Sequence, residues 1–594
     1  MRGSHSPWTR ALIWRRAVCI IMVLGASLLS LTGCDRSPEP NARATEPPSP
    51  VVNVEWVTYI DDFVAGHYRA NPHFAVWQGR HEFDGQMPDW SAEGIKKEIA
   101  RLEQMRARGL AFEDGSLMPE ERFQRDYVVS RIDNDLFWLR EARQPFTNPS
   151  WYFDSALDPS PYVSMPYAPP DQRLRAFISY AKQVPAALEH VRANLQLPMP
   201  RTFIDLGVAN SKGYAQFYRD DVPRAFAEVQ DEALKKAMAA AIEPAAQAME
   251  GFAEWLESQR ANANEAYALG PERFAAMLRM TENVDTPLDR IEAIGRADLE
   301  RNSSALKEAC RAYAPGAKIQ ECVARVSADK PDGGAVSGAR AQLDTLKKFL
   351  LDHEVVSIPG TEEAKVEEAP AYRRQNFAYI NIPGPFDREL PAVYYIAPPD
   401  PKWSQAEQNA YVPGEADLLF TSIHEVWPGH FLQFLHSNRS PWTFGQLFVG
   451  YAFAEGWAHY TEELMVEHGI AANAPELRVG QLLNALLRNV RYMCAIGLHT
   501  QGMTVAQCEQ MFKESAYQDP GNARQQAARG TYDPAYLNYT LGKLMIRKLR
   551  DDWAGTRGGR EAWKLFNDEF LSYGGPPIPL VRSQMMPGPA GELF

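Results

Sequence analysis

From Val54 to the C-terminus, apolar residues recur three and four apart, and this period constrains the fold more than any other feature of the sequence. It runs clearly through 95–110, the Ala-rich 225–258 and 285–312, with Pro and Gly punctuation near 165–170, 270–271, 331–334 and 383–385. Alternating, strand-like patterns occur at 355–358 (VVSI), 376–382 (NFAYINI) and 392–396 (AVYYI). The last two flank a turn containing Pro383, Gly384 and Pro385, and are expected to form a small ribbon able to accept an extended peptide as an added strand. The fold class expected is mainly α: a large helical body over 51–594, as one unit or two lobes, with a small β element.

The N-terminus reads as an address. Arg2, Arg10, Arg15 and Arg16 precede the apolar run Ala17–Leu31, which is too short for the ~20 residues a bilayer requires. The run ends Leu31-Thr32-Gly33-Cys34, which resembles the lipobox of bacterial lipoproteins; that resemblance implies cleavage before Cys34 and lipidation of it. A plain secretory signal is the alternative. Residues 35–50 are Pro-rich and aperiodic, as in an extended tether. The expected location is therefore the cell envelope, facing the periplasm on a lipid anchor. Asp35 follows the cysteine, as in inner-membrane lipoproteins of enteric bacteria; inner and outer membrane both stay open.

Sixty-two basic against seventy-five acidic residues argue against a nucleic-acid partner. The six cysteines include Cys310, Cys322, Cys494 and Cys508, spaced 12 and 14 apart around Ala314-Pro315-Gly316 and Thr500-Gln501-Gly502. In an oxidising compartment each pair is expected to bridge two helices joined by a turn; buried free thiols are the alternative.

Chemistry concentrates in Phe420–Gln433. His424-Glu425 followed by His430 supplies two imidazoles and a carboxylate, the side chains hydrolytic zinc needs. The histidines stand six apart rather than four. On a straight helix that is about 9 Å of rise and a different face. Pro428 cannot donate to the carbonyl of His424, and Gly429 tolerates unusual dihedrals, so a bulge or break is expected there. Twenty-five residues after His430, Glu455, His459 and Glu462 fall near one helical face. Glu455 is placed ahead of His459 as third ligand. Glu462 suits the role of holding a ligand imidazole from behind, against the alternative of a solvated position.

HEVWPGHFLQ (424–433), AEGWAHYTEEL (454–464), RYMCAIGLHTQGMT (491–504) and RGTYDPAYLNYTLGKLMIRKLR (529–550) together resemble the bacterial domain-of-unknown-function 885 family, as do 71–91 and 270–289. The resemblance implies a helical, gluzincin-like zinc site, one ion per chain, with a substrate channel between helical lobes. Two departures stand out: Phe431 replaces a frequent histidine, and Ala495 a frequent acid near Arg491. In the segments that match, His499 and Tyr539 are the expected donors to a substrate oxyanion, with Tyr536 a competitor. Arg491 and Arg529 are candidates to receive a substrate carboxylate, which would favour carboxypeptidase or dipeptidase action; ordinary surface arginines and an unspecific oligopeptidase are the alternatives. With Glu425 as general base, the function expected is zinc-dependent hydrolysis of short peptides. The alternatives are a non-catalytic peptide- or envelope-binding lipoprotein, and an amidase acting on peptidoglycan peptides. No feature specifies an oligomeric state.

Overall fold

The computed structural model of the chain describes residues 53–374, 377–586, 588 and 591–594. The apolar leader, Cys34 and the tether lie outside these residues. Among the described residues, no helix is long and apolar enough to cross a membrane.

The periodic stretches are helices whose ends follow local chemistry. Ala92–Leu110 starts where the Ser91 hydroxyl accepts from the N–H of Gly94. The Ala-rich stretch differs from expectation, being split between Arg201–Ala225 and Glu232–Gln259. The Asp231 carboxylate accepts from Leu234 N–H and starts a new helix there. Pro170 and Pro271 each open a helix at the first turn, where a missing N–H costs nothing. Apolar side chains gather into one large core reaching from Phe137 to Met585, two smaller ones around Tyr152–Leu256 and Trp56–Leu136, and a small cluster of Ala369, Tyr395 and Ala397.

The sheet has three strands: β1 (Ala364–Glu368), β2 (Ala378–Asn381) and β3 (Ala392–Ile396), in the order β1-β3-β2. β2 and β3 pair antiparallel, with Ala378 opposite Ile396, and form the expected ribbon. β1 joins β3 in parallel, with Ala364 opposite Ala392. The strand expected at 355–358 is absent. Val355 and Val356 are buried, but their segment meets side chains instead of a ladder: Asp568 accepts from Ser357 N–H, Asn567 donates to the Val355 carbonyl, and His436 bonds the Ser357 carbonyl.

Cys310–Cys322 and Cys494–Cys508 are disulfide-bonded, each pair joining two successive helices with α-carbons 5.7 Å apart.

Six helices of the large core build the site: α1 (Glu415–Glu425), α2 (His430–Ser437), α3 (Tyr451–Glu467), α4 (Pro475–Thr500), α5 (Pro520–Tyr532) and α6 (Asn538–Gly555). α3 and α6 cross through glycine on both sides. A Cβ on Gly456 would lie 2.5 Å from the α-carbon of Gly542, and one on Gly542 would lie 2.2 Å from the Ala452 carbonyl oxygen.

Candidate metal centre

The chain breaks between α1 and α2. Pro428 has no N–H to continue the helix, and the Gly429 N–H turns back to the Ile423 carbonyl at 2.9 Å. The Trp457 indole on α3 donates to the Pro428 carbonyl at 2.8 Å and ties the link down. Gly429 has φ −72°, so it is not there for a left-handed turn. It is there for closeness: a Cβ would stand 1.7 Å from the carbonyl oxygen of His424. The outcome is that His424 and His430 face each other with ring centroids 4.8 Å apart.

Glu455, in the first turns of α3, completes a triangle. One ligand atom from each of His424, His430 and Glu455 lies within 4.8 Å of the other two. Glu455 Oε2 is 3.3 and 3.2 Å from the Nε2 atoms of His424 and His430, buried, and without a hydrogen bond to either. Burial opposes ionisation of Glu455, but His430 and His424 outweigh it and hold the carboxyl well below the usual range. His424 Nδ1 lies 2.8 Å from Glu462 Oε1. An ionised Glu462 can only accept, so Nδ1 carries a proton, and once the ring is neutral Nε2 is the nitrogen left to present a lone pair to the triangle. Glu462 is fully buried; burial raises its carboxyl, but Arg488 at 3.1 Å, His459 and His424 bring it far below the usual range. His459 sits outside the triangle. Its Nδ1 faces Glu462 at 3.2 Å, and burial pushes the ring down to about 4, so it is neutral.

Glu425 follows His424 at the end of α1, is buried at the cavity wall and is not one of the triangle's ligands. Burial pushes its carboxyl above the usual range, with His430 and His424 opposing. The cavity, about 920 Å³, is lined by the triangle, Glu425, residues of α4–α6 and Ala378, Tyr379 and Ile380 of β2. Tyr539, on α6, lies nearly parallel to the His424 ring at 5.9 Å, and its hydroxyl accepts from Arg529 at 3.4 Å.

Arg491 and Arg529 both line the cavity but differ from the expectation of a matched pair. Arg529 is committed to Asp533 at 2.9 Å and to the Tyr451 hydroxyl at 3.0 Å, so its charge is neutralised within the fold. Arg491 donates to Gln526 at 2.8 Å. His499 does not reach the cavity. Its Nε2 is bonded to the Gly530 carbonyl at 2.7 Å and its Nδ1 accepts from Leu269 N–H, which leaves no nitrogen for a substrate. It splices α4 to its neighbours. Tyr536 is buried away from the cavity, beside Cys508. Phe431 packs against Trp427 at 5.0 Å, and Ala495 is fully buried.

Sequence reasoning missed Arg488, the counter-charge to Glu462, and Gln526, the partner of Arg491. Arg488 stands one turn before Arg491 on α4, a three-residue spacing that marks it as a neighbour.

A family model described as "Bacterial protein of unknown function (DUF885)" matches residues 72–585. Two solved structures superpose with TM-score 0.73. One is a candidate lipoprotein of unknown function from Shewanella oneidensis, 22% identical, covering 89% of this chain and 99% of that one. The other is a candidate lipoprotein from Colwellia psychrerythraea, 16% identical, covering 89% and 98%. At these identities the likeness is one of fold. No curated protein matches the chain.

Proposed function

We propose that this chain, which belongs to the bacterial DUF885 family of unknown function, is a zinc-dependent hydrolase of peptide bonds, held in the cell envelope through Cys34. One observation carries the reading: two imidazole Nε2 atoms and a buried carboxylate oxygen converge without a hydrogen bond among them. With both rings neutral and their Nε2 atoms unprotonated, acceptors face each other there, an arrangement a cation relieves. Two imidazoles and one carboxylate are the ligand set of hydrolytic zinc, with a position left over for substrate or water. Bound there, zinc would supply Lewis acidity, polarising a carbonyl and acidifying water.

The chain's own groups do the rest. Glu425, with its carboxyl raised by burial, takes the proton of the attacking water and returns it to the leaving amine. Glu462 fixes the tautomer of His424, and Arg488 keeps Glu462 ionised. The Tyr539 hydroxyl, oriented by Arg529, donates to the carbonyl oxygen as charge builds on it. β2 is an edge strand that lines the cavity, which supports an extended peptide as substrate. The leader ending at Cys34 supports the envelope location.

Metal analysis and peptide-library hydrolysis test this on the purified mature protein. About one zinc per chain is expected, as for a three-residue site. Glu455→Gln and His424→Ala should lose the metal; Glu425→Gln should keep it and lose hydrolysis. A Glu425→Gln protein with full activity would overturn the mechanism.

A further inference from the structure

Three arginines line the cavity, and among the described residues two have a carboxylate partner: Arg488 has Glu462, and Arg529 has Asp533. Arg491 has none within ion-pair distance, although it is 7% exposed. Its Nε is occupied by Gln526, and its guanidinium lies 4.6 Å from the centroid of the Tyr539 ring. Neither terminal nitrogen has a protein acceptor among the described residues, and neither is sealed from the cavity. Lys330, another cation on the cavity wall, is bonded to the Val412 carbonyl.

A buried cation without a counter-charge is expensive, and folds ordinarily pair it. Here the surroundings orient it instead of neutralising it. Gln526 is itself held by Asn522 at 3.3 Å, and Asn522 by Gln518 just ahead of α5, a row of amides. The fork is thus fixed at Nε and presents its free edge. Two parallel N–H donors match the two oxygens of a carboxylate. The Tyr539 ring that Arg491 covers is also the ring lying against His424, so one side chain separates the fork from a ligand imidazole. One to three peptide residues, at about 3.5 Å each, cover that interval.

We propose that Arg491 is an anion clamp for the free C-terminal carboxylate of a short peptide, which sets the scissile bond a fixed few residues from that end. This rests on reading His424, His430 and Glu455 as a hydrolytic centre. It defines the substrate class as peptides with an unblocked C-terminus, and it makes Arg491 a specificity-determining residue.

The test uses zinc-loaded protein and a mixed library of N-acetylated tetrapeptides, as free acids and as C-terminal amides, read by mass spectrometry. The free acids should be cleaved with kcat/KM at least about 10²-fold above the amides, since a site built around a polar contact rejects ligands lacking it. In Arg491→Gln that preference should collapse, with zinc content unchanged. Equal cleavage of both libraries by the wild type, or a preference that survives in Arg491→Gln, overturns the clamp. Thermal melting with N-acetylalanine and its amide gives a readout independent of hydrolysis. The acid should raise the melting temperature of the wild type, the amide should not, and Arg491→Gln should respond to neither. If no library is cleaved, the hydrolase reading fails. Melting then decides the clamp alone: a selective response to the acid sustains it, and no response overturns it.

Discussion

Replacing Gly429 by alanine should disable the proposed metal centre without touching any of its three candidate ligands. The added Cβ would stand 1.7 Å from the carbonyl oxygen of His424, 2.4 Å from its carbonyl carbon and 2.5 Å from the Ile423 oxygen. Carbon contacts relax at about 3.5–4.0 Å, so the link must open by roughly 2 Å. The obstacle is backbone, and the backbone that moves belongs to His424. Overpacking of this size costs about 1–3 kcal/mol, here toward the upper end. Alanine regains about 0.4–1 kcal/mol by narrowing the unfolded ensemble, leaving a net loss near 2 kcal/mol. The effect on metal is larger. Ligand distances tolerate only about 0.2 Å, so His424 and His430 no longer share one ion. Zinc affinity should fall by at least about 10²-fold, the upper range for disturbing a supporting group. Titration against a chromophoric chelator measures the affinity, and urea unfolding measures the stability. Gly251→Ala is the control: Gly251 lies inside the helix Glu232–Gln259 with nothing within 4 Å of the new Cβ, so it should gain about 0.5–1 kcal/mol. Wild-type zinc affinity in Gly429→Ala would show that the close approach at the break does not set the histidine pair.

Glu462→Ala strands Arg488 and removes the acceptor of His424 Nδ1; about 3–5 kcal/mol of stability and 10–100-fold of zinc affinity should go, read by urea melts and zinc titration. Glu282 is buried with Asn538 and the Ala452 N–H as its partners and no ion pair among the described residues, and burial pushes its carboxyl up to about 8. Its folded value lies above its unfolded one, so the native state binds this proton more tightly. The contribution is complete below about pH 4.5 and is lost as pH rises through about 8. Glu282→Gln should therefore flatten the fall in urea midpoint between about pH 5 and pH 8; an unchanged slope would refute the assignment. Serine at both Cys494 and Cys508 should cost about 3 kcal/mol, the loop-closure term for a separation of 14 residues, measured by denaturant unfolding.

What the sequence disclosed was whatever depends on neighbours along the chain. The three- and four-residue period gave the helices, Pro428-Gly429 marked the break, and the spacing of Glu455 and Glu462 put both on one face of α3. What it hid depends on partners distant in sequence. β1 has one buried apolar residue, Val366, and is a strand because β3 lies beside it. VVSI has the right composition but no strand to pair with, so side chains from 436 and 567–568 took up its backbone groups. His499 looked catalytic because an imidazole suits either role; the carbonyl of Gly530 and the N–H of Leu269 settle it, and neither is near in sequence. The inequality of the two arginines was partly legible: Asp533 stands four residues after Arg529, one helical turn away, whereas Arg491 has no acid at that spacing.

The glycine crossing of α3 and α6 bears on how such a chain can drift over evolutionary time. Glu455 precedes Gly456, and Tyr539 lies one turn before Gly542, so both stand beside the point where the two backbones touch. Elsewhere in the core, distances between helices depend on side-chain volumes and shift when those are exchanged. At a contact of bare backbones there is no volume to exchange. The spacing of Glu455 from Tyr539 is therefore insulated from repacking of the surrounding core, and the positions able to alter it directly are the two glycines themselves. A lineage can replace most of its interior and keep this gap, provided neither position acquires a side chain.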